Sequence, residues 1–322
     1  MPVLSIDASP ENNGWLIDIH RMFNMSDDAI LFKEFETLRE MGYELDSLGN
    51  FSKENKTYVR LFEAKMMQQY DHRFASVTVN EENLFRQAQG EGTSSEQHID
   101  PNYVVMPRYW LPEKELADLV GDKKYYLAFR ALTDASTNAR TGIFCLLPRV
   151  ATGHTLNMIY PSSDYSVNQT CCLLASLNSL VLDYVIKQKL SGMHFGIFIL
   201  KQLPVLPPSA YTAADIDFIA PRVLELVYTA NDLRPFAEDM GYHGEPFRWD
   251  EVRRAQLRAE LDAYFARLYG LTRDELRYIL DPKEVHGEDF PGETFRVLKD
   301  KENRQFGEYR TRRLVLEAWD CL

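Results

Sequence analysis

Asp71, His72 and Arg73 are consecutive in this sequence, and a carboxylate beside an imidazole and a guanidinium is able to do acid–base work. The same side chains also serve as polar contacts, within a fold or against phosphate, and no second carboxylate or nucleophile stands at a fixed spacing from them. Asp46, Glu63 and Lys65 align on an Asp…Glu-x-Lys pattern, which would bind a divalent cation in a small nuclease. So loose a pattern arises readily by chance, and a strand edge with its salt bridges is the simpler account. Cys145, Cys171, Cys172 and Cys321 lack metal-ligand spacing and two are adjacent, so they read as reduced core thiols of a cytoplasmic protein.

Other catalytic signatures are missing from these 322 residues. There is no Walker loop, HExxH, GxSxG or CxxC. S-adenosylmethionine chemistry on adenine N6 needs a glycine-rich turn after a strand and an Asn/Asp-Pro-Pro-Tyr/Phe motif. The nearest proline pair, Pro207 and Pro208, has no polar acceptor before it and no aromatic ring after it to stack on a flipped base.

The elements that must position any site follow from periodicity. A helix is expected over 27–40, with Ile30, Leu31, Phe35 and Leu38 on one face. Short strands are expected at 42–45 and 58–61, and a polar exposed loop over 81–100. Residues 103–106, 125–130 and 142–147 are strand-like; a long helix runs over 170–190, ended by Ser191-Gly192, and 195–200 is another strand. Beyond the rigid 203–208 the chain turns helical. Thr212 with Asp215 and Thr272 with Glu275 are capping boxes; Pro221 starts a new helical run, Asp281-Pro282 ends one, and a last helix covers 303–319. The resulting fold class is α+β: a mixed domain over 1–208 with short strands and a long buried helix, then a helical domain over 209–322, with the boundary near Ser209.

The composition, 45% hydrophobic and 12% aromatic, is that of a globular chain able to bury a large core. Its net charge of −12 argues by itself against nucleic acid. The charge is unevenly spread, however. Between 121 and 210, eight Lys and Arg residues face only Asp122, Asp134, Asp164 and Asp183, so an acidic protein with a basic middle can still bind DNA on one face. The first residues, MPVLSIDASPENNG, lack the basic-then-apolar order of a signal peptide, and the apolar stretch 173–186 is too short and too often interrupted to span a bilayer. A soluble cytoplasmic protein with no membrane partner is expected.

Several runs, in order, resemble one family. They are LFEAKMMQQYDHRFA at 61–75, PRYWLP at 107–112, Phe129-Arg130, TNART at 137–141, LPR at 147–149, LNSLVLDY at 177–184, GMHF at 192–195 and KQLPVLPP at 201–208. They are similar to the region downstream of the catalytic domain in type IIG-like, adenine-specific restriction–modification DNA methyltransferases. LYGLT at 268–272 and YILDP at 278–282 resemble that family's helical tail. The helix, glycine turn, strand and LPVLPP tail also look like target-recognition domains generally, including the specificity subunits of type I systems. The resemblance spans residues 22–322 and implies a DNA target-recognition segment of a restriction–modification or phage-defence enzyme, without the catalytic domain. Double-stranded DNA and a methyltransferase domain or subunit are the implied partners. S-adenosylmethionine is expected only in that associated domain, and no cofactor or metal in this chain.

Recognition needs phosphate contacts for register and a few side chains to read base edges. Asn138 and Arg140 lie in a polar turn between strands, where Asn suits adenine and Arg guanine; alternatively Asn138 stabilises the turn and Arg140 pairs with Asp134. Arg149, His154, Lys187, Lys189, His194 and Lys201 are phosphate-contact candidates, or solvated charges. Lys65, His72 and Arg73 complete the DNA-binding candidates. Asn178, Ser179 and Asp183, on an otherwise apolar helix, are expected to hydrogen-bond neighbouring strands or loops. Two other readings stay open: a non-catalytic interaction or regulatory remnant, and the small metal-dependent nuclease.

Overall fold

The computed structural model describes residues 14–79, 88–134 and 136–322. Along it run strand β1 (Ile17–His20), helix α1 (Phe35–Glu40), and strands β2 (Glu44–Leu45), β3 (Phe51–Lys53), β4 (Lys56–Phe62), β5 (Ala75–Val79) and β6 (Ala88–Gly92). Helix α2 (Ser95–Ile99), strand β7 (Tyr109–Pro112) and helix α3 (Glu113–Val120) follow. Next come β8 (Tyr125–Arg130), β9 (Phe144–Pro148), β10 (Ala151–Thr152) and β11 (Leu156–Pro161). The remainder is helical: α4 (Val167–Asn178), α5 (Leu180–Lys189), α6 (Ile197–Leu200), α7 (Ala213–Val227), α8 (Arg234–Asp239), α9 (Glu251–Leu268), α10 (Arg273–Leu280), α11 (Pro282–His286), α12 (Arg296–Phe306) and α13 (Arg310–Cys321). Short antiparallel sheets followed by helices make the class α+β.

A four-stranded antiparallel sheet, ordered β1-β11-β8-β9, divides the interior. Successive side chains on a strand point to opposite faces. On β8 and β9, Leu127, Phe129, Phe144 and Leu146 therefore join the helices' core, while Tyr126, Ala128, Cys145 and Leu147 join a second core. That second core is closed by β4, β7 and α3 through Val59, Leu61, Leu111 and Leu116. Both faces being covered, these strands read as nearly unbroken apolar runs. The second sheet runs β10-β4-β3-β2, with β7 also on β4, and β5 pairs with β6.

The helices' core includes Leu173, Leu174 and Leu177 of α4, Ile219 and Val223 of α7, and Leu257, Leu261 and Phe265 of α9. One apolar cluster thus continues across residue 208, where the boundary between two domains was expected. No single described helix is long and apolar enough to cross a membrane. The apolar pair α4 and α5 is bent by 53° and consists largely of buried residues.

Several local expectations change. The helix over 27–40 is a 3-10 turn (Ala29–Leu31) and a separate α1, because Lys33 leaves helical geometry to exchange backbone hydrogen bonds with Trp110; Ile30 is left exposed. The polar stretch after 81 contains β6 and the Ser94-capped α2 where an exposed loop was expected; residues 81–87 of that loop, and the start of the chain read for a signal peptide, lie outside the described residues. Residues 103–106 are not a strand, 195–200 contains α6, Pro221 lies inside α7 rather than starting a run, and Gly307 in the left-handed region splits the last helix into α12 and α13.

The expected helix over 170–190 breaks at Ser179, whose backbone is extended. A break in a core strands polar groups, and they are met by distant side chains and by Ser179 itself. The Leu180 N–H donates to Asp262 Oδ1 at 2.7 Å, and Arg140 donates to the Asn178 carbonyl. The Ser179 hydroxyl donates to the Ser176 carbonyl and accepts from the Leu182 N–H.

Candidate nucleic-acid interface

Tyr70, at φ +58°, turns the chain so that Asp71, His72 and Arg73 point inward. Asp71 Oδ2 lies 3.2 Å from His98 Nε2, and the His98 ring stacks on Trp249 with 3.8 Å between centroids. Arg254 lies over the same indole and donates to the Leu226 and Tyr70 carbonyls. His72 Nε2 is 2.8 Å from Asp232 Oδ1, and Arg60 reaches the other oxygen at 3.3 Å. Arg73, fully buried, donates to the carbonyls of His98, Asp100, Tyr103 and Thr229. Burial raises the Asp232 carboxyl, but His72, Arg60 and Arg73 outweigh it and hold that group well below the usual carboxylate range. Burial likewise raises Asp71, and His98 reverses the direction. These groups fasten the loop at 70–73 to α2 and to the connections around α7–α9; with Nη1 and Nη2 turned to carbonyls and Nε buried, Arg73 offers no hydrogen-bonding face to solvent.

Arg140 and Asn138 are also turned into the protein. Arg140 Nε donates to Asp183 Oδ2 at 2.8 Å and Nη1 lies 3.6 Å from Asp262 Oδ2. Asp134 instead accepts from Ser136 and Thr137, so the alternative Arg140–Asp134 pair is not formed. Asn138 donates to Thr133 Oγ1, stabilising its own turn. Asp183 accepts from the backbone of Thr141 and Gly142, and Asn178 exchanges hydrogen bonds with the backbone of Phe144. Asn178 and Asp183 thus bind neighbouring strand and loop, as their positions suggested, whereas the Ser179 hydroxyl bonds the backbone of its own helices. Burial pushes the Asp262 carboxyl up to about 6 against the opposing pull of Arg140.

Other candidates hold turns. Arg149 donates to the Gly121 and Lys123 carbonyls and pairs with Glu113. Lys65 pairs with Glu63 at 3.0 Å and donates to the Ala88 carbonyl. Asp46 accepts from the Leu48 and Asn50 N–H groups of its own turn. Lys187 is half-buried, 3.4 Å from the Asn138 carbonyl, and burial lowers its pKa. Among the described residues, no three His, Cys, Asp or Glu side chains are grouped to hold a metal ion.

His154, Lys189, His194 and Lys201 remain exposed and make no ion pair or side-chain hydrogen bond among the described residues. Backbone contacts join the loops of two of them. Leu132 is bridged to His194, the Phe195 N–H donates to the Ala131 carbonyl at 2.8 Å, and the Ala131 N–H donates to the Thr155 carbonyl at 2.9 Å. The ends of β8, the β10–β11 turn and the segment after α5 therefore converge. Residues 142–163 and 184–214 contain no acid; the acids nearest in the chain to the segments they pack on are Glu63, which pairs with Lys65, and Asp134, which accepts from Ser136 and Thr137. Leu132, Met193 and Phe198 are exposed on the same segments, Phe198 by 76%.

The sequence reading missed this convergence, since residues 132, 154 and 194 share no spacing; the two acid-free stretches are the signal that could have found it. It also missed His98, Asp232, Trp249 and Arg254, which meet Asp71, His72 and Tyr70 only through packing. Compared with known proteins, the chain matches no family model and no curated protein.

Proposed function

We propose that this chain is the DNA target-recognition segment of an adenine-N6 DNA methyltransferase of the type IIG-like restriction–modification or phage-defence kind. It acts in the cytoplasm beside a domain or subunit that holds S-adenosylmethionine and performs the transfer. The observation that carries the reading is the convergence of acid-free loops presenting His154 and His194, with Lys189 and Lys201 on the same basic stretch, on a protein of charge −12. The ordered motif resemblance supports it. No residue here supplies the glycine-rich turn or the Pro-Pro motif that the transfer needs, so the chain's part is to bind and orient duplex DNA.

The test is a polarisation titration of labelled mixed-sequence duplexes at about 50 and about 200 mM salt, with and without the partner methyltransferase. Binding should weaken with salt, and Lys189→Gln/Lys201→Gln should reduce the slope of log K against log salt by about one per lysine contacting phosphate. Binding that is absent in both settings, or that keeps its salt slope in the double variant, overturns the assignment. The exposed Met193 and Phe198 favour a second reading, a protein-binding module; it predicts partner capture that survives high salt and no affinity for duplex DNA.

A further inference from the structure

A cavity of about 330 Å³ opens where the turn before β8 meets the end of β11 and the start of α4. Its walls carry Tyr125, Tyr126, Tyr160 and Tyr165, and Lys123 and Lys124 stand in the turn at its edge. The size falls at the lower end of the range for small-ligand clefts, roughly 300–1,000 Å³.

The aromatic wall is fixed by contacts with the core behind it and between its own lining residues. Tyr125 packs edge-on to Phe236 at 5.4 Å and donates its hydroxyl to Asp239 at 2.8 Å. Tyr126 stands edge-on to Tyr160 and donates to the Val150 carbonyl. Tyr165 packs edge-on to Trp15 at 4.9 Å, and its oxygen accepts from the Leu16 N–H, leaving its own proton to donate elsewhere. Rings held this way lose little further freedom when a ligand enters. The lysine turn is fixed too: Arg149 donates to the carbonyls of Gly121 and Lys123. Lys123 lies 5.4 Å from the Tyr160 ring centre, and neither lysine makes an ion pair among the described residues.

We propose that this cavity is a binding site for a small ligand that joins a flat ring to an anionic group, the chemistry of a nucleoside monophosphate. The partly exposed rings of Tyr125, Tyr160 and Tyr165 take the ring, the two ammonium groups take the anion, and the Asp239 oxygen not engaged by Tyr125 is the acceptor for a ring amine. The site is independent of the DNA-binding reading and stands or falls separately.

Calorimetric titration of the full chain with AMP, adenosine and inorganic phosphate tests it. AMP should bind saturably with a Kd below about 1 mM. Lys123→Gln/Lys124→Gln, confined to exposed side chains, should weaken AMP about ten-fold, or about 1.4 kcal/mol, without changing adenosine. Tyr160→Leu should weaken both nucleoside ligands, with melting curves confirming that each variant is folded. Three results overturn the proposal: no saturation by AMP, an affinity unchanged in both variants, or phosphate alone binding as tightly as AMP, which would mean that the lysines attract any anion.

Discussion

Asp232 accepts from His72 and Arg60 in an interior where an unmatched charge is costly, so its replacement tests how the buried cluster is held. Asp232→Asn leaves buried cations without their counter-charge and should cost about 3–5 kcal/mol at neutral pH. The folded pKa of Asp232 is depressed below 3.8, so its contribution is present above that value and is lost as pH falls through the folded one. Denaturant titrations of wild type and variant should therefore converge below about pH 4; a gap constant down to pH 2 would contradict the assignment. Asp262 has the opposite sign. Its pKa is raised from 3.8 to about 6, so its contribution is present below 3.8 and is lost as the pH rises through about 6. Asp262→Asn keeps an acceptor for the Leu180 N–H and removes the buried charge. Relative to wild type, the variant should be more stable at pH 8 than at pH 4, and the reverse ordering would show that the pair with Arg140 dominates.

At the scale of elements, the break between α4 and α5 depends on groups from three parts of the chain. Ser179→Ala removes both the cap of α5 and the bond to Ser176, and should cost about 1–2 kcal/mol by thermal or chemical unfolding. A loss below a few tenths would mean that Asp262 and Arg140 hold the break alone. Gly142 is needed for close approach: a Cβ there would stand 2.6 Å from Ile186 Cδ1 on α5 and 3.2 Å from the Phe144 ring. Gly142→Ala should cost about 1–3 kcal/mol, and adding Ile186→Val, which removes that methyl, should return part of it. Additive losses would show that the contact is not limiting. The sequence revealed β8 to the residue and the capping boxes of α7 and α10, since these rest on local periodicity and on side chains three residues apart. It missed β1 and β11, whose pairing joins residues more than a hundred positions apart.

At the scale of the molecule, α4 packs on α7 and α7 on α9, and one apolar core runs through the strand-rich and helical parts. A chain cut after Pro208 removes α7 and α9 and exposes Leu173, Leu174 and Leu177. It should lack the near-ultraviolet dichroism and dispersed amide spectrum of the whole protein. A cooperative, well-dispersed 1–208 fragment would show instead that the two parts fold independently.

By itself the sequence determined the α+β class, the strand at 125–130, the capped helices α7 and α10 and the missing transfer motifs, all carried by residue type or by spacing of a few positions. Tertiary structure alone decided which polar residues outside the apolar helices face inward. Asp71, His72, Arg73, Asn138 and Arg140 have the side chains of a site, yet their partners at His98, Asp232, Thr133 and Asp183 draw them into the fold. Exposed His154 and His194 lie in loops that backbone pairing brings together. The physical reason is that a buried polar group must find a partner wherever the chain supplies one, and sequence distance places no limit on where that is.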